Sequence, residues 1–128
     1  QKCPYPELDH VDRDCYHMFV RSDDKVIAYL RAYQKRSQTQ NTGQVAHLGR
    51  IVVDPEYRGR HLGMELVKQG IELCKQVWNV QMVKISAQYR LVSFYLQLGF
   101  YTVGEQYLED DIPHIEMHYQ VYRTDQNL

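Results

Sequence analysis

The segment Arg50–Leu66, R-I-V-V-D-P-E-Y-R-G-R-H-L-G-M-E-L, constrains the fold more than any other part of this chain. A β-branched run, Ile51-Val52-Val53, stops at Asp54-Pro55. A short basic loop containing Gly59 and Gly63 follows and opens into an amphipathic pattern. Proline lacks the N–H that a sheet ladder needs, so the strand ends there. The uninterrupted β-branched run predicts a strand buried on both faces. A helix is predicted from Arg60 to Gln76, because Leu62, Leu66, Gly70, Leu73 and Val77 recur at steps of three and four beside Val67, Ile71 and Cys74. The unit is therefore strand, turn, loop, helix, and such a strand needs neighbours.

The remaining periodicities supply them. Cys15 to Arg21 and Val26 to Tyr33 read as two strands of a hairpin around the polar turn Ser22–Lys25, and Val45 to Val53 as a third strand. Gln81 to Ala87 alternates as a strand, and Arg90 to Leu98 as a short helix stopped by Gly99. Phe100 to Val103 reads as a short strand. Ile115 to Tyr122 alternates cleanly, with Ile115, Met117, Tyr119 and Val121 on one face. The proline-containing start and the polar run Gln34–Gly43 read as loops. This order of strands and helices predicts an α/β or α+β fold, a mixed sheet flanked by helices.

Composition narrows the function. The chain has 128 residues, one domain's worth, with 44% hydrophobic and 24% charged residues. Fifteen basic residues against sixteen acidic ones leave a formal charge of −1, so no broad positive field exists for nucleic acid or an anionic membrane. No apolar run approaches the length of a membrane helix. Three cysteines do not read as a disulfide framework, and a reducing cytoplasm is the expected location. Cys3, His10, Cys15 and His17 lack zinc-site spacing, so no metal is expected. Cys74 reads as a buried thiol. Eleven tyrosines against three phenylalanines predict half-wet aromatic surfaces.

Chemistry concentrates after Val53. A helix start leaves backbone N–H groups unpaired and carries partial positive charge. Gly59 and Gly63 let a ligand approach the backbone, and Arg58 and Arg60 add charge. These are the parts of a phosphate or pyrophosphate cradle. An ordinary strand-to-helix turn, with glycine for packing, is the competing reading. Neither a G-K-[ST] ending nor a G-x-G-x-x-G fingerprint is present.

The loop Arg58–Gly63 resembles the acetyl-coenzyme A motif of the GNAT N-acetyltransferase family, [QR]-x-x-G-x-[GA] after a strand ending V-x-P. His61 replaces the usual middle glycine. Downstream, Ser93–Phe100, S-F-Y-L-Q-L-G-F, is similar to that family's F-Y-x-x-x-G-F helix end. C-P-Y-P-E-L-D, I-S-A-Q-Y-R-L-V-S-F-Y and Y-L-E-D-D-I-P-H-I-E-M resemble the ElaA-type subgroup, so the resemblance spans nearly the whole chain. It implies a single acetyltransferase domain over residues 1–128 that lacks the first strand and helices of the subgroup.

The resemblance also implies roles. Two parallel strands would splay apart, and the backbone of Ile51, Val52 and Val53 would pair with the pantetheine amides of acetyl-coenzyme A as an added strand would. Arg58, Gly59, Arg60, His61, Leu62, Gly63 and Met64 would hold the pyrophosphate, and Gln88 stands where many members place an asparagine near pantetheine. Tyr95 would protonate the leaving thiolate. By residue chemistry alone Tyr95 reads as a core aromatic on a short helix.

For the base that frees the amine, the candidates are Glu109, Asp110, Asp111 and His114 near the last strand, and Asp9 and Asp12 near the start. His114 has a suitable ordinary pKa, and the E-D-D run reads either as a solvated turn or as an attractor for a cationic amine. The expected activity is acetyl transfer to a primary amine on a small molecule or peptide. A non-catalytic coenzyme A sensor and a plain interaction domain are the alternatives. Pairing of two copies through the last strand would make a homodimer.

Overall fold

The computed structural model describes residues 6–12, 15–34, 45–59 and 61–121, with the backbone alone for residues 6–12. Seven strands form one sheet: β1 Pro6–Asp12, β2 Cys15–Ser22, β3 Lys25–Tyr33, β4 Val45–Val53, β5 Met82–Gln88, β6 Tyr101–Glu109 and β7 Ile112–Gln120. Helix α1 spans Leu62–Trp78, and a 3-10 turn at Tyr89–Leu91 leads into the short helix α2, Val92–Gln97. The strand order is β1-β2-β3-β4-β5-β7-β6. All neighbouring pairs are antiparallel except β4 and β5. This is the expected mixed, mostly antiparallel sheet flanked by helices. No described helix is long and apolar enough to cross a membrane.

The two faces of the sheet differ because side chains alternate along each strand. One face carries Leu30, Ala32, Ala46, Leu48, Val83, Ile85 and Met117, all buried. Helix α1 covers this face over β3 and β4 with Leu66, Val67, Gly70, Ile71 and Cys74. Gly70 permits the close approach: an added Cβ would stand 3.1 Å from Leu30 Cδ1 and 3.3 Å from Leu48 Cδ2. Burial pushes the Cys74 thiol up to about 12, so it stays protonated and inert. Trp78 closes the helix edge-on against Tyr16, ring centres 5.6 Å apart.

Across the opposite face run His17, Arg31, Gly49 and His47, then Lys84, Ser86, Glu116 and His118, placed side by side by the strand registers. Rings stack here, Tyr33 on His47 at 5.1 Å, and His17 Nδ1 meets the Tyr29 hydroxyl at 2.5 Å. Tyr29, Tyr33 and Tyr101 lie on this polar face.

Five expectations are corrected. Pro6–Asp12 is a strand paired with β2, not a loop. Strand β6 extends to Glu109, well past Val103. Val52 is 56% exposed and Val77 39%, so the β-branched run is not buried on both faces and α1's apolar stripe ends before Val77. Strand β7 starts at Ile112 and lies between β5 and β6, so both its edges are taken and two copies cannot pair through it. Most of the polar run Gln34–Gly43 lies outside the described residues.

Candidate active site

Strands β4 and β5 run side by side only from Val45–Met82 to Leu48–Ile85. Just beyond, β4 carries one extra residue. The two steps from Tyr29 to Arg31 on β3 face the three from Val52 back to Gly49. Arg50, inside that stretch, has φ 53, a left-handed value. An extra residue bends a strand and increases its local twist. Here it leaves Gly49–Val53 and Ser86–Gln88 without partners in each other's strand.

A cavity of about 540 Å³ opens at this gap. Ile51, Val52, Val53, Arg58, Gly59, His61, Leu62, Gly63, Met64 and Gln88 all line it, as does Tyr95. The structure therefore brings the sequence-selected loop residues together with Tyr95, except Arg60, which lies outside the described residues. Arg90, Leu91, Phe94 and Gln97 complete the wall. Phe94 is the first residue of the F-Y pair, whereas Arg90, Leu91 and Gln97, close to that pair in the chain, were not singled out from the sequence.

The loop is tied down at its start. The Asp54 N–H donates to the Ile27 carbonyl at 2.7 Å, and the Asp54 carboxylate accepts from Lys25 Nζ and from the Glu56 N–H, each at 2.9 Å. The hydrogen bond from Lys25 lowers the Asp54 pKa and raises that of Lys25. Arg58 Nε donates to the Val53 carbonyl at 3.2 Å, which holds the guanidinium over the end of β4. His61 sits at φ 59 as the residue before α1. The first helical bond here runs from the Glu65 N–H to the His61 carbonyl at 3.0 Å. The N–H groups of Leu62, Gly63 and Met64 therefore precede the hydrogen-bonded turns and are open to an anion. A Cβ on Gly63 would meet Val53 Cγ2 at 3.4 Å and Phe94 Cζ at 3.7 Å, both on cavity-lining residues.

Tyr95 is 5% exposed, packed edge-on between Phe94 at 5.0 Å and Phe100 at 5.6 Å. It is both a core aromatic and a cavity residue. Burial pushes its phenol up to about 12. Gln88 Oε1 accepts from Arg90 Nε at 3.1 Å, which leaves the amide N–H groups of Gln88 for the cavity.

A second cavity of about 480 Å³ lies on the polar face at the same gap. Arg31, Tyr33, His47, Gly49, Arg50 and Lys84 line one part, and Ser86, Tyr107, Glu109 and Glu116 another. Ser86 donates to Glu109 Oε1 at 2.9 Å and also contacts the Tyr107 hydroxyl. A serine hydroxyl has one proton, so Tyr107 must donate to Ser86, and the chain of donors ends at the Glu109 carboxylate.

His114 is buried behind this chain and lines neither cavity. Its Nδ1 is 2.8 Å from the Ile112 carbonyl, so that nitrogen carries the proton, and Nε2 stands 3.8 Å from Glu109 Oε2. Glu116 is held by His118, whose hydrogen bond lowers the Glu116 pKa. Asp110 and Asp111 form the exposed hairpin tip at φ 52 and 64, and neither lines either cavity. The side chains of Asp9 and Asp12, like those of Cys3 and His10, lie outside the described residues.

Residues 4–121 match the family described as the acetyltransferase (GNAT) domain. A UPF0039 protein of Schizosaccharomyces pombe is 37% identical over 119 residues, 91% of this chain and 75% of the relative. Protein ElaA of Escherichia coli is 33% identical over 126 residues, 97% of this chain and 80% of ElaA. The crystal structure of ElaA superposes with a TM-score of 0.71 at 32% identity, covering 83% of this chain and 68% of ElaA. An acyl-CoA N-acyltransferase from Pseudomonas aeruginosa superposes with a TM-score of 0.70 at 36% identity, covering the same 83% and 68%. The chain belongs to the GNAT acetyltransferase family, among relatives that include ElaA and the UPF0039 proteins.

Proposed function

We propose that this protein transfers the acetyl group of acetyl-coenzyme A to a primary amine in one direct step. The observation that carries the reading is the gap itself. It has open strand edges, a helix start and Arg58 on one side, and a polar cavity on the other. The residues fit the donor. Ile51–Val53 have no partner on β5, so that edge of β4 can take an extended amide arm, with the Val53 carbonyl already held by Arg58 Nε. The amides of Leu62–Met64, with Arg58, suit a pyrophosphate, and glycine at position 63 leaves their approach open. When bound, the donor supplies an activated thioester carbonyl.

The amine would enter from the polar cavity. Glu109 takes the ammonium proton, because Oε1 is fixed by Ser86 while Oε2 makes no hydrogen bond among the described residues. The amine nitrogen would bond to the acetyl carbon and the carbon–sulfur bond would break; sulfur would take a proton from Tyr95, and the second proton shed by the nitrogen as it becomes an amide would pass through solvent to restore the Tyr95 phenol. A phenol near 12 is a weak acid for this task. The same burial raises the basicity of any thiolate formed beside it, which restores the match.

The donor chain Tyr107–Ser86–Glu109 favours turnover over a sensing role, since coenzyme binding alone has no use for an oriented carboxylate in the other cavity. Free-thiol release from acetyl-coenzyme A, measured against a panel of primary amines, tests the proposal. Calorimetric binding of the coenzyme with no amine-dependent thiol release across the panel would leave the sensor reading in its place.

A further inference from the structure

We infer that the acceptor is an amine that also carries a carboxylate, such as an amino acid or short peptide, rather than a polyamine or other purely cationic amine. This rests on the polar cavity being the acceptor site, as proposed above. Among the described residues, the one buried side-chain nitrogen or oxygen without a hydrogen-bond partner is Arg31 Nε. Arg31 lines that cavity, on β3 directly opposite Gly49. Its guanidinium carbon stands 4.4 Å from the Tyr33 ring centre, so the ring satisfies the face of the group. The N–H donors lie in the guanidinium plane, and stacking leaves Nε unanswered. A buried donor on a permanent cation with no acceptor is costly, and an acceptor brought into this cavity by a ligand would relieve that cost. A planar fork of donors suits a carboxylate.

The rest of the wall agrees. Arg50 and Lys84 join Arg31 as cations, and none of the three makes an ion pair among the described residues. Of the cavity's two carboxylates, Glu116 is engaged by His118, and Glu109 keeps only Oε2 open, since Ser86 holds Oε1. Glycine at position 49 puts no side chain in front of Arg31. An amine with a carboxylate therefore meets opposite signs at its two ends: Glu109 at the amine and Arg31 at the acid. A polyamine would bring further positive charge to a wall that already holds three cations.

The experiment measures thiol release with each amino acid beside its own carboxamide, and with spermidine, on the wild-type protein and on Arg31→Gln and Arg31→Lys. Carboxamides have the more readily deprotonated amine, so a preference for the acid must come from the site. Loss of one charge-assisted pair corresponds to about 10- to 100-fold in kcat/KM. Wild type is expected to prefer the acid by that factor. The ratio should collapse toward one in Arg31→Gln and persist in part in Arg31→Lys, with the affinity for acetyl-coenzyme A unchanged in both. Because the wild-type ratio decides by itself, a poorly folded variant does not obscure the result. A wild-type ratio of one or less, or spermidine as the best acceptor, would overturn the inference and leave amine acetylation standing. Coenzyme binding without thiol release for any amine would overturn both.

Discussion

His114 Nε2 faces Glu109 Oε2 at 3.8 Å across the β6–β7 hairpin, with the opposite nitrogen, Nδ1, fixed on the Ile112 carbonyl. The register that pairs Glu109 with Ile112 and Tyr107 with His114 creates this arrangement. Two of the sequence-selected base candidates thus stand together, but only Glu109 opens to the polar cavity.

The first prediction follows from that asymmetry. Glu109→Gln should lower kcat/KM by about 10²–10⁴-fold, the usual range for a general base, and leave the affinity for acetyl-coenzyme A unchanged. The loss should shrink as pH approaches the pKa of the acceptor amine, because the amine then arrives without its proton. A pH profile of both proteins checks this. A loss of constant size across pH would mean that Glu109 positions the acceptor instead of taking its proton.

Tyr95→Phe should lower kcat by about 10²–10⁴-fold with little change in the Michaelis constant for the coenzyme, since the hydroxyl matters when charge builds on sulfur. With the phenol near 12, kcat should not decline through loss of that proton below about pH 10 to 11. The same burial ties stability to pH. The folded pKa lies above the unfolded value of 10.0, so the folded state retains its proton while the unfolded chain loses it. Stability is full below pH 10 and falls between 10 and about 12, by about 2–3 kcal/mol. Tyr95→Phe should abolish that part of the alkaline decline, as read from denaturant midpoints at pH 9 and 11.

The sequence disclosed the elements that bury a face and hid those that do not. β4 ends at Val53 as its β-branched run and Pro55 required, and α1 follows the Leu66–Gly70–Cys74 stripe. β6 was read too short because it is exposed along nearly all its length, so no period of two could mark it. β1 went unread because edge strands carry charges and a leading proline without penalty. The loop Arg58–Met64 was legible as a local motif, and its described residues largely line the first cavity. Arg31, Lys84 and Ser86 were not, since a polar face reads as solvated surface until the strand order places β3, β5 and β7 around one cavity. The bulge at Arg50 leaves no mark in the sequence, because left-handed arginine is not a local preference.

Arg58→Ala should weaken acetyl-coenzyme A binding by about 1.5–3 kcal/mol, the size of a charge-assisted hydrogen bond. An acetyl-pantetheine thioester without the pyrophosphate should bind both proteins equally. Calorimetry with the two ligands separates this from a change in the end of β4, where Arg58 Nε holds the Val53 carbonyl. Equal losses for both ligands would assign Arg58 to the strand end alone.

His61→Gly should stabilise the fold slightly. Left-handed φ at 59 costs a side-chain-bearing residue about 1–2 kcal/mol. The added freedom of glycine in the unfolded chain returns about 0.4–1 kcal/mol of that. The net gain should lie between zero and about 1.6 kcal/mol, visible as a higher denaturant midpoint. A clear loss of stability would mean that the imidazole supplies packing that outweighs the strain.

Gly70→Ala tests the packing that sets α1 against the sheet. Alanine is the better helix former, by about 1 kcal/mol in an exposed position. Here the new methyl would come within 3.1 Å of Leu30 Cδ1, 3.2 Å of Leu30 Cδ2 and 3.3 Å of Leu48 Cδ2. Leu30 is fully buried, so its side chain has no open space to enter. Overpacking of this kind costs about 1–3 kcal/mol, and the clash should win over helix propensity. The expected result is a lower denaturant midpoint at an unchanged m-value. Pairing the change with Leu30→Val removes a methylene and draws both branch methyls back from the helix. The double variant should then lose less than the sum of the two single losses, a coupling of about 0.5–3 kcal/mol. Additive losses would show that α1 moves away from β3 to admit the methyl, and the helix start that lines the first cavity would move with it.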